Sequence, residues 1–254
     1  MGEISLAAET IFSIGGFSVT NSMLVTALLS IGLIIFALVV RSRVTTSGKI
    51  SDVQNLMESV FEGAFSLMDT VTGDRKQSKK FFALVMTLFI FVLCANWSGL
   101  LPGVGPIGVY HEAISEQGEA HAVLIPFFRA PSSDLNTTLA LAIISFLSFQ
   151  IFGIATIGFF KYGSKFINFR GPIDFFIGIL ELIGEVAKVI SLSFRLFGNV
   201  FAGEVLLLVI AFLVPIIAPL PFFALEIFVG LIQAFIFSML TLVFLRVATD
   251  HPHA

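Results

Sequence analysis

One arginine stands inside a run otherwise suited to the interior of a lipid bilayer: Arg195, in Ser193-Phe-Arg-Leu-Phe-Gly-Asn-Val200. An arginine at bilayer depth costs about 2.5 to 3.5 kcal/mol on insertion scales and about 10 or more on an isolated helix, so charge there is a functional candidate by default. At 100° per residue, Glu181, Glu185, Lys188, Arg195 and Asn199 share an arc of roughly 80° and form one polar stripe, expected to face outward toward a partner. Glu181 and Glu185 lie one or two turns from Lys188, so an internal salt-bridge network is one reading of that trio. Arg195 lies seven residues beyond Lys188, and no acid falls within one turn of it on the same face. Any counter-charge on that face comes from elsewhere. The chemistry expected of Arg195 is control of proton transfer between water and a carboxylate on a partner protein.

Glu204 points more than about 100° away from Arg195, and Gly203 beside it leaves room for another helix or for water. Further along, Glu226 and Gln233 are seven residues apart and share a face, followed by Ser238 and Thr241. If the segments carrying Glu204 and Glu226 pair antiparallel, the two carboxyl groups can approach in one wet crevice, as a proton relay needs. Gln233 alone would serve equally well as an interhelical hydrogen bond. Pro131-Ser-Ser-Asp-Leu-Asn-Thr-Thr138 reads as a helix N-terminus capped by Ser133 or Asp134. Asp134 and Asn136 are assigned to a water entrance at the outer mouth. The Asn136-Thr-Thr sequon is taken as chance at a membrane boundary, and His111 and His121 as part of a solvated acidic loop rather than a metal site. Cys94, the single cysteine, is a buried bystander that excludes an internal disulfide.

Positioning these residues takes a helical bundle in lipid. The 254 residues are 57% apolar and 12% charged, with 30 Phe, and the mean hydropathy is +1.01. That is far above what a water-soluble domain of this size can hide. The acidic start, Met1-Gly-Glu-Ile-Ser, resembles neither a removable signal nor a transit peptide. Five membrane helices are expected, at 20–40, 81–101, 135–160, 174–214 and 221–247, together forming a single membrane domain over 1–254. An amphipathic helix at 50–72 lies on the membrane surface, and 102–133 form an outer loop. Of the 14 Lys and Arg, Arg41, Arg43, Lys49, Arg75, Lys76, Lys79, Lys80, Lys161, Lys165, Arg170 and Arg246 all fall on one side if the N-terminus is outside. The other side holds Glu3, Glu9, Glu112, Glu116 and Glu119 with Arg129 alone. The N-terminus is therefore expected outside and the C-terminus in the cytoplasm.

The fourth helix would extend about 61 Å at 1.5 Å per residue, twice a perpendicular span. Either it breaks or it lies strongly tilted, and a long tilted hairpin about Pro215, Pro219 and Pro221 is the expected form. No internal repeat, Gly-rich phosphate loop or low-complexity tract is present. Neither a cofactor nor a metal is expected, and neither nucleotide nor nucleic acid is expected to bind directly.

These residues resemble the subunit a family of F-type ATP synthases. The segment from Glu181 to Glu204, with Lys188 and Ser191-Leu-Ser-Phe-Arg-Leu-Phe-Gly-Asn-Val-Phe-Ala-Gly-Glu204, is similar to the family's signature helix. Gln233-Ala-Phe-Ile-Phe-Ser-Met-Leu-Thr241 is similar to its last helix. Pro131 to Thr138 and Asn96-Trp-Ser-Gly-Leu-Leu-Pro-Gly103 match weaker blocks, so the likeness covers nearly the whole chain. The resemblance implies that Arg195 is the essential arginine, with Asn199 and Gln233 as its polar neighbours. It implies an outer half-channel containing Glu204 and Glu226, where some members carry a histidine at the position of Glu226.

It further implies two offset aqueous half-channels meeting a c-ring. A proton would enter past Asp134, Asn136, Glu226 and Glu204, ride the ring, and leave near Glu181 and Lys188 on the inner side. The implied partners are the c-ring, the subunit b peripheral stalk and the lipid bilayer, with no catalytic site in this chain. The implied setting is a bacterial plasma membrane or, as the alternative, the mitochondrial inner membrane. A transporter or channel acting alone would show an internal repeat and broken helices. A structural scaffold would leave Arg195 unexplained.

Overall fold

The computed structural model describes residues 8–44, 52–101, 107–114, 120–166, 171–215 and 217–250. Glu3, Lys49, Glu116, Glu119 and Arg170 lie outside these residues. Among the described residues, five helices are long and apolar enough to cross a membrane: α1 (Asn21–Arg43), α3 (Arg75–Ser98), α4 (Leu135–Ile157), α6 (Pro172–Leu213) and α7 (Pro219–Thr249). They answer to the five expected spans, and the chain is an all-α membrane protein. The amphipathic helix is α2 (Asp52–Thr72), and a short α5 (Phe159–Gly163) follows α4. The expected third span ran to Phe160. It ends at Ile157 because Gly158 takes φ of 94°, a left-handed conformation that stops the helix.

α6 does not break. Its 42 residues run as one helix, about 63 Å at 1.5 Å per residue. No proline interrupts its interior, and Pro172 and Pro219 occupy the opening positions of α6 and α7, where a missing N–H costs no hydrogen bond. Two short hairpins were not foreseen. β1 (Thr10–Ile14) and β2 (Phe17–Thr20) join through Gly15 and Gly16, both at positive φ, as a two-residue turn of this twist requires. β3 (Gly108–Ile114) and β4 (Ala120–Pro126) pair antiparallel within the segment expected as an outer loop, carrying His111 and His121 in their strands.

The chain divides into two compact units that each take part of the five membrane-spanning helices. The first comprises Met1–Ile34, Ile90–Thr138 and Phe194–Ala234. Within it Thr20 caps α1 by accepting from the Met23 N–H, and the Asn21 amide donates to the Pro126 carbonyl at 3.2 Å. Asn96 and Trp97, near the end of α3, donate to the carbonyls of Gly230 and Ile227 on α7 at 2.9 and 3.0 Å. A Cβ at Gly230 would lie 3.2 Å from both residues, so glycine permits this close approach.

The second unit comprises Ile35–Phe89, Leu139–Ser193 and Phe235–Ala254. Its apolar core joins Met68 of α2 to Phe81 and Val85 of α3, Phe149 of α4, and Leu242, Leu245 and Ala248 of α7. Arg75 holds α2 through Glu62 and Asp69, at 2.8 and 2.7 Å, with its guanidinium over the Phe65 ring. Arg246 donates to the Val71 and Thr72 carbonyls, satisfying the end of α2 where the helix dipole favours a cation.

Candidate functional site

The first unit contains Arg195, Asn199, Glu204, Glu226, Gln233, Asp134 and Asn136. Along the middle of α6, Leu192, Leu196 and Val200 are buried, while Arg195 and Asn199 are exposed. Apolar Ile190 and Phe194 flank them and are also exposed. Ala187, Ser191, Gly198 and Ala202 share this exposed side with Arg195, so a guanidinium stands among small residues that let another helix come near.

The Glu226 carboxyl rests against Gly203, where a Cβ would overlap it. This brings Glu226 beside the backbone next to Glu204. Glu204 Oε2 is buried and meets no hydrogen-bond partner among the described residues. Such an oxygen is costly in a dry interior and suits a position reached by water or a mobile proton. Gln233 is buried.

Asp134, rather than Ser133, caps α4. Its Oδ1 accepts from the Asn136 N–H at 3.0 Å, and its Oδ2 accepts from the Ser22 hydroxyl at 2.6 Å and the Thr137 hydroxyl at 3.4 Å. Ser133 instead accepts from Arg129 Nε at 3.1 Å. Asp134 is 4% exposed, whereas Asn136 is open to the surroundings. The expected water entrance thus combines one exposed amide with one carboxylate already engaged in capping. Burial pushes the Glu9 carboxyl above its usual range, opposed by the Arg129 charge.

The second unit holds Glu181 and Lys188. They do not pair with each other: Glu181 binds Lys165 at 2.6 Å, and Lys188 binds Glu185 at 2.7 Å. The expected single outward stripe is therefore corrected. Arg195 and Asn199 are exposed, but Glu185 is buried and Glu181 and Lys188 are partly covered. The cause is Gln150, Tyr162 and Lys165, on α4, α5 and the turn after it, which reach this stretch of α6.

The sequence had not singled out Gln150, Tyr162 or Ser22. Gln150 donates to Glu185 Oε2 at 3.3 Å and accepts from the Tyr162 hydroxyl at 2.6 Å. Tyr162 is pushed up to about 12, first by burial and then by the charges of Glu185 and Glu181. A polar side chain inside an apolar helix is the signal that would have marked Gln150.

A family profile described as ATP synthase A chain matches residues 21–246. The chain is 40% identical to ATP synthase subunit a of Campylobacter jejuni subsp. doylei over 199 residues, covering 77% of this chain and 76% of that one. It is 35% identical to that of Campylobacter concisus over 232 residues, 89% of each chain. It is 31% identical to that of Citrifermentans bemidjiense over 235 residues, covering 92% of this chain and 89% of the relative.

Proposed function

The chain belongs to the ATP synthase A chain family, and from that premise we propose that it is the proton-conducting stator subunit facing a rotating c-ring. The observation that carries the proposal is the exposure of Arg195 and Asn199 on a long unbroken apolar helix, among small residues. An exposed guanidinium at bilayer depth is tolerable where a partner carboxylate or water meets it.

In this reading a proton enters from outside through a half-channel formed by Asn136, Glu226, Glu204, Asn199 and Gln233. Asp134 shapes the mouth by capping α4, since its carboxylate already accepts three hydrogen bonds. The proton neutralises a ring carboxylate, which can then face lipid at low cost. After rotation it leaves on the inner side near Glu181 and Lys188. There Arg195 favours the ionised ring carboxylate and bars a direct leak between the channels. The length of α6 suits a tilted wall along the ring. The basic connections lie on the cytoplasmic side with the N-terminus outside, in a bacterial plasma membrane, and a subunit b stalk holds the chain against the ring's torque.

Arg195→Ala tests the reading. In the assembled complex, reconstituted in sealed vesicles, it abolishes ATP synthesis driven by a proton gradient while leaving assembly largely intact. Normal coupled synthesis in that variant would overturn the proposal.

A further inference from the structure

Three elements converge on Glu185, a carboxylate 4% exposed in the inner part of α6. Gly158 ends α4 and lets α5 follow directly. Gly153 leaves room for the Tyr162 ring, which a Cβ at that position would overlap. The Tyr162 hydroxyl donates to Gln150 Oε1 at 2.6 Å, which leaves the Gln150 amide N–H facing Glu185 Oε2 at 3.3 Å. Lys188 Nζ donates to Glu185 Oε1 at 2.7 Å and lies over the rings of Phe149 and Phe244, at 5.7 and 5.2 Å.

The bonds run in one direction: hydroxyl to amide, amide to carboxylate, ammonium to carboxylate. Both Glu185 oxygens face donors, so each is engaged as an acceptor. With Lys165 paired to Glu181, two neutral ion pairs occupy this part of the chain. Lys188 is seven residues from Arg195, about 10 Å of helix rise.

We propose that Glu185 is a charge-balancing residue of the inner exit. Positioned by Gln150 and Tyr162, it cancels the charge of Lys188, so a proton leaving the ring does not meet a second cationic barrier beyond Arg195. This rests on the proton-conducting reading above. An ammonium left unbalanced at that separation slows cation passage on the order of tenfold at an effective dielectric constant of about 20.

The test is passive proton flow through the membrane sector, reconstituted in vesicles under an imposed potential. Glu185→Gln, which keeps the side chain's shape, should slow the flow on the order of tenfold. Adding Lys188→Met to Glu185→Gln should make the flow several-fold faster than in Glu185→Gln alone, because the unbalanced charge leaves with the ammonium. Unchanged flow in Glu185→Gln overturns the inference. So does a double variant as slow as the single one, which would make Glu185 a proton carrier or a packing residue. If Glu185→Gln fails to assemble, the double variant decides alone: assembly with measurable proton flow supports charge balance, and failure to assemble or to conduct overturns it. An unsubstituted sector that passes no protons would instead overturn the proposed function.

Discussion

The Glu226 carboxyl group lies against the backbone of Gly203, the residue before Glu204, with no space for a side chain at that position. A hydrogen atom in place of a methyl group therefore sets how closely α7 can bring one carboxyl to the other. Gly203→Ala should displace Glu226 and slow passive proton flow by up to about a hundredfold, the scale of an ångström-sized misplacement. Glu226→Leu should slow it as well, and an unchanged rate would remove Glu226 from the route.

Asp134 offers a way to separate a cap from a conductor. Asp134→Ala removes the acceptor for the Asn136 N–H and the Ser22 hydroxyl. It should cost about 1 to 2 kcal/mol, seen as a lower unfolding temperature of the purified chain in detergent. Asp134→Asn keeps a side-chain acceptor and should retain most of the stability and the proton flow. Lost flow with unchanged stability would place the carboxylate in the proton route.

Tyr162 should titrate far from an exposed tyrosine. The chain has two tyrosines, so a Tyr110→Phe background isolates it. Its phenolate absorbance should then rise near pH 12, rather than near the ordinary value of about 10. The folded value is the raised one, so the stabilisation is fully present below pH about 10 and lost as pH climbs toward 12. A midpoint at the ordinary value would show that Tyr162 is not buried beside Glu185.

Gly158→Ala places a side chain at φ of 94°, at a cost of roughly 1 to 2 kcal/mol. No neighbouring atom crowds the site, so strain rather than collision is the cause. The turn into α5 should relax and carry Tyr162 away from Gln150. In the Tyr110→Phe background, the Tyr162 midpoint should fall back toward the ordinary value. Loss of stability with no change in that midpoint would show that the turn does not position Tyr162.

Much of the fold was legible because bilayer spans are written as long apolar runs, and the helix boundaries follow local chemistry. Pro172 and Pro219 open helices, while Gly73 at positive φ follows α2. The alternating pattern of α2 was equally plain. The two hairpins were harder to see, because strands this short beside long apolar helices carry a weak periodic signal. The cap at Asp134 was one of two neighbouring candidates. The choice depended on Ser22, 112 residues away in the chain, and on Arg129 taking Ser133.

The amino-acid order by itself determined that this is a multi-pass helical membrane protein, and it placed Glu181, Glu185, Lys188, Arg195 and Asn199 within one arc of α6. Helical periodicity sets the angle of a side chain about its own axis and carries no information about what covers that angle. Only the tertiary structure decided that Gln150 and Tyr162 enclose Glu185 while Arg195 remains exposed. It also decided that Lys188 takes Glu185 and Lys165 takes Glu181. Lys188 and Glu185 lie within one turn of α6, and their pairing in place of Lys188 with Glu181 follows from Lys165 taking Glu181 and Gln150 reaching Glu185, together with the cost of leaving a buried charge unpaired.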